Sequence, residues 1–174
     1  MMKKTAILLL FGILAVLRGS EYLYTIEITP ANLADIDIHQ SVAIKEADGK
    51  KAILVSKSYH TWLDLIPEKC FGNEITVTFR YKAAKKGVYP KKASARLRYA
   101  EGDIYYKGPT GKPIVLTPSD EWKTASCTMK FPAKLEQAMI VFSTGGADYY
   151  VTDMKVSKKN KKQKQTQAQT RSLK

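Results

Sequence analysis

Cysteine and histidine are scarce in this chain of 174 residues: Cys70, Cys127, His39 and His60 are all it has. A zinc site of the usual kind needs about four such ligands, so the sequence offers no zinc centre. A catalytic nucleophile needs a base within hydrogen-bond reach. With two histidines, and with neither a Ser-x-x-Lys nor a Gly-x-Ser-x-Gly signature, nucleophilic catalysis has little to work with. No glycine-rich phosphate loop appears, and Gly145-Gly146 reads as a hairpin signal. Paired carboxylates for glycoside cleavage do not stand out either: Asp120-Glu121 lies in a turn, where acids are expected. Long apolar runs are also missing. The longest, Ala6 to Leu17, is interrupted by Gly12 and is too short for a membrane span of roughly 20 residues.

That short run follows Lys3 and Lys4, and the combination predicts a secretory signal over residues 1–20, with cleavage after Gly19 or Ser20. The alternative is an uncleaved N-terminal anchor. No cysteine follows the run, which excludes a lipid-modified cysteine there. The expected location is therefore secreted, periplasmic or in the cell envelope.

Acid is absent from both ends. The chain is formally +13, from 29 Lys and Arg against 16 Asp and Glu. Residues 155–174 hold seven lysines and Arg171 with no acid, whereas residues 21–154 hold 18 basic and 16 acidic residues. The charge thus describes a near-neutral globule carrying a cationic tail. The segment 157–174 has too few apolar residues to offset the entropy of ordering, which predicts a disordered basic tail. Such a tail is either a solvated end or a means of contact with anionic surfaces. An exported protein makes nucleic acid an unexpected partner, so none is assigned.

What the chain does have, over residues 21–156, is a rhythm of two. Ile75, Val77, Phe79 and Tyr81 alternate with Thr76, Thr78, Arg80 and Lys82. Ala95, Leu97 and Tyr99 alternate with Ser94, Arg96 and Arg98, and Ala125, Cys127, Met129 and Phe131 share another apolar face. Further strands are predicted from Tyr22 to Thr29, Lys51 to Lys57 and Tyr149 to Val156. Ala138 to Ser143 is apolar almost throughout, as for a central strand covered on both faces. Turn signals fall about every ten residues, among them Asp48-Gly49, Gly72-Asn73, Gly87 and Pro118. Only Ala31 to Val42 allows a helical turn. The expected class is all-β: an antiparallel sandwich or barrel.

The order of these features resembles the carbohydrate-binding modules of families 4, 9 and 22. The likeness rests on Asp48-Gly49 through Lys57, then Trp62, then Gly72 through Lys82, then Glu121-Trp122-Lys-Thr, and on the close from Ile140 to Val156. It implies a galactose-binding-like jelly roll of two antiparallel sheets, a glycan bound on a concave sheet face or at a loop edge, and in many members a structural calcium ion. It also implies a core position for Trp122. This sequence departs from the pattern at three points: Lys57-Ser58 replaces a Gly-Arg pair, Thr152-Asp153 replaces two adjacent acids, and the opening Asn-x-x-Phe-Glu is absent.

Candidate binding residues follow. Arg80, Arg96 and Arg98, with Lys82, would project from one surface if their strands share a sheet. Arginine's planar fork suits carboxylates and hydroxyl pairs, and aromatic faces suit the apolar side of a sugar ring. Trp62, Tyr59, Tyr89, Tyr105 and Tyr106 fall in predicted loops nearby. The bland alternative is a solvated sheet face, for which Thr, Arg and Lys are ordinary. Asp153, with Asp148 or Glu27, is the candidate for calcium; no other cofactor is expected. Cys70 and Cys127 are a candidate disulfide in an oxidising compartment, with two free buried thiols as the alternative. The expected function is non-catalytic binding of a glycan or polysaccharide. The rival is a structural or interaction protein that docks an envelope protein, and a small hydrolase is a weaker third.

Overall fold

The computed structural model describes residues 20–29, 43–56, 60–100 and 109–159. The expected signal (apart from Ser20), the helical turn at 31–42, and the basic tail beyond Lys159 lie outside these residues, as do Tyr59, Tyr105 and Tyr106. The described chain forms ten strands and one helical turn. They are β1 (Ser20–Thr25), β2 (Ala43–Ala47), β3 (Lys50–Val55), β4 (His60–Leu65), α1 (Pro67–Cys70), β5 (Glu74–Ala83), β6 (Lys92–Ala100), β7 (Ile114–Leu116), β8 (Lys123–Lys130), β9 (Gln137–Gly145) and β10 (Tyr149–Lys159).

The strands make an antiparallel sandwich of the expected jelly-roll class. One sheet runs β2-β3-β10-β5-β8, with β1 also beside β10; the other runs β4-β9-β6-β7. Alternation decides what lies between them. Ile75, Val77 and Phe79 of β5 face Leu63 of β4, Ala95 and Leu97 of β6, and Ile140 and Phe142 of β9, all buried in one core. The Phe79 and Phe142 rings meet edge to face at 5.0 Å across the two sheets. Tyr149 of β10 is fully buried and donates its hydroxyl to the Ser143 carbonyl of β9 at 3.1 Å. That bond crosses from one sheet to the other, and burial pushes the phenol far above its ordinary range.

Asp48 and Gly49 both take positive φ, 52° and 71°, in the two-residue turn joining β2 to β3. This is the mirror-image turn whose twist matches a hairpin. Gly145-Gly146 does not make the expected hairpin: β9 and β10 belong to different sheets, so this turn carries the chain across the sandwich. Nor does β10 stop at Val156. Ser157, Lys158 and Lys159 pair with β1, and Lys158 and Lys159 reach Glu21 at 3.3 Å and Glu74 at 3.4 Å. The tail as drawn from composition therefore begins inside a strand.

The expected Cys70–Cys127 disulfide is not formed; both cysteines are buried and free. Cys70 ends α1, which docks at the far end of β8, where Gly72 donates its N–H to the Pro132 carbonyl. Cys127 lies four residues before Phe131, roughly 13 Å back along the strand, whereas a bridge needs Cα atoms within about 7 Å. Burial raises both thiols to about 12, so neither is a nucleophile at neutral pH.

Candidate functional site

Trp62 stands in β4, not in a loop. Thr61, Leu63 and Leu65 of that strand turn inward, so Trp62 and Asp64 turn outward. On β9 beside them, Met139 and Val141 also turn outward, yet each is only 1 % exposed. Two side chains roof them. Trp62 comes from β4 on one side and Arg98 from β6 on the other, and the guanidinium carbon lies 5.1 Å from the indole centroid. Trp62 and Arg98 are 8 % and 7 % exposed, so the pair is a packed floor and not a projecting platform. A cation stacked on an aromatic face and shielded from water contributes about 2 kcal/mol.

The open part of this surface lies next to that floor. Along β6 the outward residues are Lys92, Ser94, Arg96 and Arg98, spaced by about 6.7 Å. The Ser94 and Ser143 hydroxyls meet at 2.7 Å between β6 and β9, and Val115 beyond them on β7 is 81 % exposed. Arg96 is half-buried, lies opposite Val141, and has no acid paired with it among the described residues. Burial, and then the charge of Arg96, lower the Arg98 guanidinium from its usual range. Asp64 is an acid of this face, on the far strand β4, and loss of surrounding water raises its carboxyl.

Arg80 does not join Arg96 and Arg98. β5 and β6 lie in opposite sheets, so Arg80 and Lys82 point away from them on the other side of the molecule. There they meet Trp122, which sits on that outer face and not in the core. Arg80 and Lys82 each lie 5.5 Å from the Trp122 ring centroid. The indole N–H donates to Asp48 at 2.8 Å, and Lys82 donates to the same carboxylate at 2.7 Å. Those two bonds hold Asp48 below the usual carboxylate range. Tyr89, the one described residue among the loop tyrosines, donates to Asp120 at 3.0 Å.

Asp153 occupies a bulge in β10 with φ 52°, where the strand leaves β3 and takes up β1. A groove of about 450 Å³ opens at this seam, lined in part by Glu27, Lys50, Lys51 and Asp153. Lys50 donates to Asp153 at 2.7 Å and Arg80 at 3.5 Å, and the Lys50 bond chiefly holds the carboxylate low. Calcium needs six to eight oxygens. Here the candidate ligand faces two cations, and no group of three acid, histidine or cysteine side chains gathers among the described residues. Among the described residues, those around Asp153 do not fit a calcium ion.

Sequence reasoning missed Lys92, Met139 and Val141. The signal was present for two of them: a strand apolar on both faces needs something on its second face, and Trp62 and Arg98 supply it.

No family model and no curated protein matches this chain. Solved structures do share its fold. The N-terminal endo-1,4-β-D-xylanase 10B of Clostridium thermocellum, as CBM22-1 and GH10 modules complexed with xylohexaose, superposes with a TM-score of 0.58 at 13 % identity. The match covers 82 % of this chain and 29 % of that one, so the chain spans less than a third of it. The C-terminal family 22 carbohydrate-binding module of the same organism's Xyn10B gives 0.53 at 12 % identity, over 80 % of this chain and 94 % of that one. The module CBM6cm-2 of Cellvibrio mixtus lichenase 5A, in complex with cellotriose, gives 0.51 at 14 %, over 80 % and 100 %. The fold is thus the β-sandwich found in carbohydrate-binding modules.

Proposed function

We propose that this chain, a sandwich of the carbohydrate-binding-module fold, binds a glycan without cleaving it. The observation that carries the reading is the outer face of the four-stranded sheet. A rigid Trp62–Arg98 floor there backs a half-open row of Arg96, Ser94 and Ser143. Hydroxyl pairs on a sugar suit the guanidinium fork of Arg96 and the serine pair, which both donates and accepts. The floor holds Arg98 and the neighbouring strand positions still, which lowers the ordering cost of binding. The neighbours' bound xylohexaose and cellotriose support the same class of ligand. The signal-like N-terminal sequence supports a place outside the cytoplasm or in the envelope. Among the described residues no helix is long and apolar enough to cross a membrane.

Affinity electrophoresis through gels containing soluble polysaccharides tests the reading. Wild-type protein is retarded by at least one polymer, and Trp62→Ala weakens that retardation about tenfold or more while circular dichroism shows the sheets intact. Uniform mobility in every gel, together with a silent glycan array, overturns it and leaves the protein-docking alternative.

A further inference from the structure

We propose that the glycan taken by this face is acidic: a linear polysaccharide bearing uronate carboxylates, read by Arg96. The inference rests on the glycan-binding reading above and adds the charge class of the ligand. Its basis is the charge of Arg96, which no described acid takes up. Lys92, Arg96 and Arg98 point outward from a single strand. Asp64, an acid of that face, projects from β4, on the far side of β9. Arg98 is already committed to the Trp62 ring. Arg96 stands beside it, half-buried, without an acid among the described residues. Two guanidinium groups on alternate residues of one strand repel, and partial burial weakens the screening by water. A carboxylate on the ligand accepts two parallel bonds from the Arg96 guanidinium fork and offsets that repulsion from the Arg96 side.

Shape narrows the anion. The row is straight, because it follows one strand, and its cations recur at spacings of about 6.7 Å and twice that. A flexible single anion would use one of these positions; a linear polymer with a carboxylate on successive or alternate sugars uses the row. The Ser94–Ser143 hydroxyl pair lies between Lys92 and Arg96, where an unsubstituted sugar would present its hydroxyls. Around Trp122 on the opposite sheet, by contrast, Lys50, Arg80 and Lys82 are held by Asp153 and Asp48.

The experiment compares polymers that differ only in charge. Full-length protein is run through gels of polygalacturonate and of its methyl ester, and of glucuronoxylan and its carboxyl-reduced form. The expected result is roughly tenfold tighter retention by each acidic polymer, the worth of one charge-assisted pair. Arg96→Gln is expected to abolish that preference, so that acidic and neutral forms are retained equally. Lys130→Gln removes one charge from the exposed face of β8 in the other sheet and is expected to change nothing. Equal retention of acidic and neutral polymers overturns the proposal while the glycan reading stands. An equal loss in Arg96→Gln and Lys130→Gln also overturns it, since the attraction is then diffuse, as the cationic tail would produce. Retention of neither polymer, nor of any other glycan, fells both readings together.

Discussion

Each sheet turns a tryptophan and arginine outward, and the two faces use them for different ends. On the six-stranded sheet, Trp122 lies against Arg80 and Lys82, its N–H is taken by Asp48, and Asp153 ties Arg80 to Lys50. Three cations meet two carboxylates, and the hairpin turn at Asp48 is pinned to β5 and to the start of β8. On the four-stranded sheet, Trp62 lies against Arg98, and Arg96 beside them has no acid paired with it among the described residues. The aromatic–cation contact is common to both faces and cannot separate a clamp from a binding surface. The placement of the acids does. Around Trp122 the protein's own carboxylates spend the charges on holding strands together; Arg96, with no acid paired to it among the described residues, keeps its fork for a ligand.

The largest test of this contrast is the pair of tryptophan variants. Trp62→Ala uncovers Met139 and Val141 and is expected to cost about 3 kcal/mol in urea unfolding, with loss of glycan retention. Trp122→Ala is expected to cost about 2 kcal/mol, from two cation–aromatic contacts and one charge-assisted bond, with glycan retention unchanged. A loss of retention in Trp122→Ala alone would reverse the roles of the faces. A smaller effect is expected from pH. Asp48 and Asp153 are both held below the usual carboxylate range. Their contribution is therefore present above the unfolded carboxyl value near pH 4 and is lost as pH falls through their lower folded values. The thermal midpoint of wild type should fall between about pH 4 and pH 2 more steeply than that of Asp153→Asn. Parallel curves would mean that the ion pairs of this face add nothing. The smallest effect concerns calcium. With Lys50 and Arg80 already on Asp153, millimolar calcium or a chelator should move the midpoint by less than about 1 °C; a clear rise with calcium would show that Lys50 swings aside.

Much of the fold was legible because alternation is a local property. β5, β6 and β8 were readable from single side-chain sequences such as Ile75 to Lys82, and β9 from its unbroken apolar run. The strands that escaped notice had weaker patterns. β7 is three residues long, and in β4 the adjacent Trp62 and Leu63 are both apolar, one for each face, so no two-residue rhythm shows. The site was half legible. Trp62, Arg96 and Arg98 do lie on one surface, but Arg80 joins them only if β5 and β6 share a sheet, and they do not. Nothing local to β5 or β6 specifies that membership, since both strands read alike. The cysteine pairing failed for a related reason: residue types named the candidates, and only the docking of α1 against the end of β8 separated them.

The two-residue period, with its greasy and wet sides, was written in the chain itself, because backbone pleating forces neighbouring side chains to opposite faces whatever the surroundings. Which strands became neighbours, and so which tryptophan met Asp48 and which met Arg98, was decided only in three dimensions. Those juxtapositions join residues as distant as Asp48 and Trp122, and they depend on how two sheets close over a shared core.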